Sequence, residues 1–114
     1  MHTIDGHDIT ITRGDSLVFR VSLDGRDLPS GSESLFTVKR HPRDREALIE
    51  KRADASGETV AVFLSPEDTD LEPRTYYWDL RVRIPASDGS FEVETPMEYA
   101  ALTILPAIGH HFHE

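Results

Sequence analysis

The sequence feature that most constrains the fold is a strict alternation of apolar and polar residues over positions 76–84, YYWDLRVRI. Successive side chains of a β-strand point to opposite faces, so this period predicts a strand with one buried face. A helix would distribute the same apolar residues around its whole circumference. The inward set consists of Tyr76, Trp78, Leu80, Val82 and Ile84.

Shorter runs with the same period occur along the rest of the chain, and turn-forming residues such as Asp88-Gly89 separate them. Strands therefore recur every ~8–15 residues with turn chemistry between them, which is typical of a β-sandwich. We predict an all-β sandwich of about seven or eight strands. The alternating apolar residues of the shorter runs are Ile9, Ile11, Phe19, Val21, Leu23, Phe36, Val38, Val60, Val62, Leu64, Ala100, Leu102 and Ile104.

Other segments give weaker signals. Residues 48–51 predict a short strand, and Phe91 with Val93 predict another at a sheet edge. Residues 65–68 combine a serine suited to an N-cap with a proline and two acids, which predicts a single helical turn. Residues 41–50 predict a loop that leads into a strand.

The length of 114 residues suits a single domain. Residues 1–7 and 107–114 lack the two-residue period, so we expect a flexible N-terminal segment, a sandwich over residues 8–106 and a C-terminal tail. No apolar run approaches the ~20 residues that span a bilayer, so we expect no membrane insertion. The opening residues lack the basic-then-apolar pattern of a Sec signal, so we expect no export by that route.

Composition argues against several classes of function. Twelve basic residues against 21 acidic residues give a net charge of −9, which repels phosphate backbones, so we expect no nucleic-acid partner. There is no cysteine, so disulfides, thiolate metal sites and cysteine nucleophiles are excluded, and a reducing compartment is favoured. The serines at 16, 30, 32 and 34 are predicted to lie in turns, and no nucleophile elbow or phosphate loop occurs. We expect no enzyme, no catalytic residue and no cofactor.

Histidines lie near both ends of the chain and invite a metal hypothesis, because neutral imidazole is a common metal ligand. A structural metal site needs fixed geometry and supporting hydrogen bonds, which a chain end does not supply by itself. We therefore assign no metal-binding residue and expect only adventitious binding at the histidine-rich tail. These residues are His2, His7, His110, His111, His113 and the terminal Glu114.

Charged residues in the middle of the chain give two further predictions. Asp79 lies inside the long predicted strand, and we expect it to point outward, opposite a basic residue of a neighbouring strand. Basic residues also gather over positions 39–52, where interleaved acids reduce the local charge to about +3. This pattern indicates either a contact surface or a solvated loop.

Arg13-Gly14-Asp15 spells the integrin-recognition tripeptide. Glycine permits a positive φ, and an aspartate can accept hydrogen bonds from the backbone amides that follow it. The position between two predicted strands favours a tight turn. Cell adhesion is the alternative hypothesis for this tripeptide.

Residues 71–78, LEPRTYYW, predict a tyrosine corner. In Greek-key sandwiches a tyrosine at the start of a strand donates a hydrogen bond to the backbone just upstream and fixes the crossover between the sheets. Leu71 and Pro73 are its usual companions. Parity favours Tyr76, and Tyr77 would serve if the strand began with a bulge. The alternative is two aromatic strand residues without a special bond.

The order of these motifs resembles that of the small immunoglobulin-like domains of tailed-phage baseplate and tail-fibre proteins, which include the N-terminal domain of the lactococcal phage upper baseplate protein. The resemblance spans most of residues 8–106. It departs at Arg74, where the pattern usually has glycine. The matching residues are Arg13-Gly14-Asp15, Leu71, Pro73, Tyr76-Tyr77-Trp78-Asp79-Leu80, Asp88-Gly89, Thr95-Pro96, Leu102 and Ile104.

The resemblance implies an immunoglobulin-like Greek-key β-sandwich of antiparallel strands. It implies a non-enzymatic structural or assembly module of a phage or prophage tail or baseplate, with other virion proteins as partners and a homo-oligomeric state. The protein would be assembled in the bacterial cytoplasm and located in the virion. The structural residues are Trp78, Tyr76, Leu80, Val82, Leu71 and Pro73, and the turn residues are Arg13, Gly14 and Asp15.

A carbohydrate-binding module and a small hydrolase are the alternative functions. A carbohydrate-binding β-sandwich module would display aromatic rings on one exposed face, and the chain offers four candidates for outward rings. A small hydrolase is the weakest hypothesis, because no acid–base pair is positioned by spacing. The candidate rings are Tyr77, Tyr99, Phe63 and Phe112.

Overall fold

The computed structural model describes residues 2–5, 7–23 and 27–109 of the chain. Within these residues there are eight β-strands and no helix, so the all-β prediction is confirmed. The strands are β1 (His2–Asp5), β2 (Asp8–Thr12), β3 (Leu17–Ser22), β4 (Leu28–Lys39), β5 (Ile49–Gly57), β6 (Thr59–Leu64), β7 (Arg74–Pro85) and β8 (Phe91–Leu105).

The strands form two sheets, and the β-sandwich prediction is confirmed. The strands pair in the continuous order β1-β2-β8-β7-β4-β5-β6-β3, in which the larger sheet runs from β1 to β5 and the smaller sheet consists of β6 and β3. The β5–β6 hairpin joins the two sheets, with Ser56 opposite Thr59. β4, β5 and β6 are consecutive antiparallel neighbours, and β3, which precedes them in the chain, lies beside β6, which is the Greek-key arrangement.

One pair of strands differs from the predicted antiparallel pattern. β2 and β8 run parallel, with Ile9 opposite Leu102, whereas the other described pairs are antiparallel. The expectation of antiparallel strands throughout is therefore wrong at this pair. Parallel neighbours need a long connection, and here almost the whole domain lies between the two strands.

The core lies between the two sheets and follows the predicted alternation. On β7 the five inward side chains are at most 6% exposed, while the residues between them face outward or lie half-buried. Trp78 contacts Phe19 of the smaller sheet and Phe36 of β4, with ring centroids 5.6 and 5.4 Å away. Phe19 and Phe36 meet edge to face at 5.8 Å, a favourable aromatic geometry. The three rings thus connect the two sheets at the centre of the sandwich.

The last strand is longer than the sequence predicted. The two short strands expected around Phe91 and Ala100 belong to the single strand β8, which follows β7 with register shifts near Leu80. These irregularities interrupt the period, and the pattern therefore suggested two elements. Within the described residues β2 pairs with β8 only at Leu102–Leu105, so the first half of β8 does lie at an edge.

The predicted boundary at residue 8 needs a correction. The segment expected to be flexible contains β1, which pairs with β2 through Thr3 opposite Thr10. A strand of four residues is too short for a two-residue period to be recognised. The histidine-rich residues 110–114 lie outside the described residues. Among the described residues, no helix has the length and apolar character that crossing a membrane requires.

Candidate functional site

The crossover into β7 contains the hydrogen bond of a tyrosine corner. The Tyr76 hydroxyl donates to the Glu72 carbonyl at 2.6 Å, and the ring is 1% exposed. Burial raises the pKa of the Tyr76 hydroxyl, so it stays protonated and remains a donor. Leu71 packs against the core beside it. The guanidinium carbon of Arg74 lies 5.6 Å from the centroid of the Tyr76 ring, which is a cation–π contact. The arginine that replaces the usual glycine therefore packs on the corner tyrosine.

The Arg13-Gly14-Asp15 tripeptide forms a tight turn between β2 and β3. Gly14 has a φ of 85°, and the Asp15 amide donates to the Thr12 carbonyl at 3.0 Å. The Thr69 hydroxyl donates to the Asp15 carbonyl at 2.7 Å, and Arg13 Nε lies 2.8 Å from Asp70 Oδ1. The tripeptide is thus attached to the turn that precedes β7. Arg13 would have to leave Asp70 before it could contact an adhesion receptor.

The single turn predicted after β6 is present at residues 65–69. The Ser65 amide donates to Asp68 Oδ2 at 2.8 Å, and the Asp68 amide donates to the Ser65 hydroxyl at 3.2 Å. Lys51 Nζ of β5 lies 2.6 Å from the same carboxylate. Burial raises the pKa of Asp68, but the hydrogen bonds from Lys51 and Ser65 outweigh it and hold the pKa below its ordinary value.

Within the described residues, the serines do not form a catalytic centre and the acidic and histidine side chains do not form a metal centre. Ser30, Ser32 and Ser34 lie in β4, so their predicted placement in turns is wrong. A register irregularity between Leu28 and Ser32 and the positive φ of Gly31 let the strand continue through these small residues. The Ser32 and Ser34 hydroxyls donate to backbone carbonyls. In the described part of the chain, no three His, Asp or Glu side chains gather as a metal ion would require.

The most extensive candidate surface is the outer face of the larger sheet, formed by alternate residues of β4, β5, β7 and β8. Its centre holds rows of side chains that lie opposite one another in register. The rows place Lys39 beside Tyr77, Thr37 beside Asp79, Leu35 beside Arg81 and Glu33 beside Arg83. Sequence parity predicted the outward residues of each strand, but not which of them meet across the sheet.

The Tyr77 recess is a shallow hollow of about 230 Å³ at one end of this face. It is lined by Thr37, Lys39, Pro42, Tyr77 and Asp79, together with part of Trp78. Asp79 points outward as expected, but the residue opposite it on β4 is Thr37, so the prediction of a basic residue opposite it is wrong. Burial raises its pKa, although Arg81 and Lys39 act to lower it. A partly buried carboxylate beside a tyrosine ring in a hollow makes the recess a candidate site for a polar ligand.

The Arg52 recess is a second hollow on the same face, with a volume of about 190 Å³. Arg83 forms an ion pair with Glu33, and its guanidinium lies 4.5 Å from the centroid of the Phe91 ring. Phe91 and Val93 are 53% and 60% exposed. The recess therefore combines arginines with exposed apolar groups. Its lining residues include Glu33, Leu35, Arg52, Arg81, Arg83 and Val93.

Of the four candidate rings for a carbohydrate-binding module, the two whose side chains the structure describes do not share one face. Tyr77 lies on the outer face of the larger sheet, and Phe63 on the outer face of β6 in the smaller sheet. These faces point away from each other, so the two rings cannot bind one sugar chain side by side. The side chains of Tyr99 and Phe112 lie outside the described part of the structure.

Fold and surfaces together define a small β-sandwich domain with two shallow hollows on the outer face of its larger sheet. Residues 5–99 match the LtfC-like, beta-sandwich domain family, and the chain therefore belongs to that family. This membership supports a phage-associated β-sandwich domain. No curated protein matches the chain significantly.

Proposed function

We propose that the chain is a non-enzymatic structural or assembly module of a phage or prophage tail or baseplate, which acts through contacts with other virion proteins. The observation that carries the proposal is membership in the LtfC-like family over residues 5–99. The order of motifs shared with baseplate and tail-fibre domains gives the finer assignment. The proposal places the protein in the virion, after assembly in the bacterial cytoplasm.

Exposed apolar side chains support a role in contacts. Val18 of β3 and Phe63 of β6 lie opposite each other on the outer face of the smaller sheet, and each is 55% exposed. Among the described strands, β3 has a neighbour on one side only, which leaves a sheet edge. Exposed apolar groups beside an edge strand are typical of protein interaction surfaces. They are compatible with the homo-oligomer that the proposal includes.

Deletion of the gene from the phage or prophage tests this function. The proposal predicts that the deleted strain yields particles with an incomplete tail or baseplate in electron micrographs, and that a plasmid copy restores them. A second plasmid copy carrying Val82→Asp, which places a charge in the core, should fail to restore them. Complete and infectious particles from the deleted strain would contradict the proposal.

A carbohydrate-binding module is the second candidate, and the Tyr77 recess is the observation that favours it. A half-buried aromatic ring, a carboxylate, a hydroxyl and an ammonium group meet there around one hollow. A glycan array separates the two functions. Binding that Tyr77→Ala abolishes, while the thermal midpoint stays unchanged, would establish the carbohydrate function. The assembly proposal predicts no such binding.

A further inference from the structure

We propose that the Arg52 recess is a docking site for an extended segment of a partner protein that carries a carboxylate flanked by apolar side chains. The inference rests on the proposed assembly function and names the chemistry of one partner.

The register places two arginines on either side of one leucine. Leu35 of β4 lies opposite Arg52 of β5 and opposite Arg81 of β7. Because neighbouring strands lie about 4.8 Å apart, the two arginine backbones are about 10 Å apart across Leu35. Val93 of β8 borders the same hollow. The site is thus an apolar floor between two long cationic side chains.

These two arginines are available for a ligand, unlike others in the chain. No described residue forms a hydrogen bond or an ion pair with the Arg52 side chain, whereas its backbone pairs with β4. Arg81 Nε lies 4.0 Å from Asp79 Oδ2, at the limit of an ion pair, and its side chain is 59% exposed. Arg83, in contrast, is paired with Glu33 and covers the Phe91 ring. Arg83 and Glu33 therefore form one wall of the recess, and Arg52 and Arg81 supply its unused donors.

The guanidinium groups of Arg52 and Arg81 favour a carboxylate as the ligand of the recess. A guanidinium binds a carboxylate through two parallel N–H···O bonds, and arginine is enriched in protein interfaces. Three arginines and one glutamate line the recess, in a chain whose net charge is −9. The acidic remainder of the chain opposes a continuous phosphate backbone, but it does not prevent a short segment with one carboxylate from entering.

The recess can be tested by NMR titration with two short peptides that differ in one group. The probes are acetyl-Val-Leu-Glu-Leu-Val-amide and its Gln counterpart. The proposal predicts saturable shifts at Leu35, Arg52 and Arg81 with the Glu peptide, and binding weaker by about tenfold with the Gln peptide. Arg52→Gln and Arg81→Gln should each weaken the Glu peptide by about tenfold. Arg43→Gln, which removes an equal charge from an exposed loop, should leave its affinity unchanged.

Several results would overturn the proposal. Equal binding of the two peptides, shifts confined to other faces, or an equal loss in Arg43→Gln would show that no carboxylate site exists at the recess. Concentration-dependent dimerisation that Arg52→Gln abolishes would identify a second copy as the occupant instead, and binding of single-stranded DNA there would identify a nucleic acid. A failed titration leaves the assembly function intact, because the deletion test does not depend on this recess.

Discussion

The Tyr76 hydroxyl fixes the crossover into β7 through a single bond to the Glu72 carbonyl. Tyr76→Phe removes this bond and keeps the buried ring, so we expect a loss of about 1 kcal/mol in the free energy of unfolding. Tyr76→Leu removes the aromatic ring as well and should cost more. Urea denaturation of the two variants and the wild type measures both losses. Equal stability of Tyr76→Phe and the wild type would show that the tyrosine corner does not stabilise the fold.

Asp79 is predicted to destabilise the fold when it is ionised, because burial raises its pKa in the folded state. A carboxyl whose folded pKa lies above its unfolded value of 3.8 favours folding as the pH falls and opposes it at neutral pH. Asp79→Asn should therefore raise the thermal midpoint at pH 7, and the gain should disappear below pH 3.8. A lower midpoint at pH 7 would contradict this account.

Single residues also show what the sequence could predict. Parity alone identified the buried side of β7, because each pair of neighbouring positions must face opposite ways. It also favoured Tyr76 over Tyr77 for the corner. The raised pKa of Asp79 was not predictable in the same way, because it depends on how closely the loop at Pro42 and the side chains of β4 approach.

At the scale of elements, the Asp68 carboxylate joins the turn that follows β6 to β5, through Ser65 and Lys51. Its pKa is held below the ordinary value of 3.8, so its contribution to stability is present above that pH and is lost as the pH falls through the lowered folded pKa. Asp68→Asn should lower the free energy of unfolding by about 1–2 kcal/mol at neutral pH, because it weakens a charge-assisted bond to Lys51.

A pH series of denaturation midpoints for Asp68→Asn measures this contribution. The difference from the wild type should shrink in acid, below the ordinary carboxyl pKa. Glu67→Gln is a matched control, since it neutralises an exposed acid of the same turn and should change little. A difference that stays constant down to low pH would show that the carboxylate charge has no part in holding the turn.

Turns could be predicted where the residue types alone favour one backbone conformation. The pairing of strands could be predicted less well, because it depends on distant parts of the chain. The turn at Asp88-Gly89 is an example of the first kind, because Gly89 has a φ of 87° and aspartate-glycine favours such conformations. The parallel pairing of β2 with β8 is an example of the second. Nothing local in Ile9–Thr12 or Leu102–Leu105 specifies the neighbour or its direction, since both follow from how the whole chain returns.

At the scale of the whole molecule, the Arg52 recess could not be predicted from the sequence. Arg52, Leu35 and Arg81 are separated by 17 and 46 positions along the chain, and they meet because β4 lies between β5 and β7. The sequence indicated either a contact surface or a solvated loop at residues 39–52, and it could not add Arg81 or Val93. The family match, in turn, gives the class of protein and leaves its partners to experiment.

The central claim is that this β-sandwich is a built-in component of a phage particle. Its most direct test is quantitative mass spectrometry of gradient-purified particles from a strain that produces them. The account predicts that the protein bands with the particles at a fixed ratio to a known tail protein, through repeated gradients and at high salt. A protein found only in the soluble fraction, or one whose ratio falls with each gradient, would contradict it.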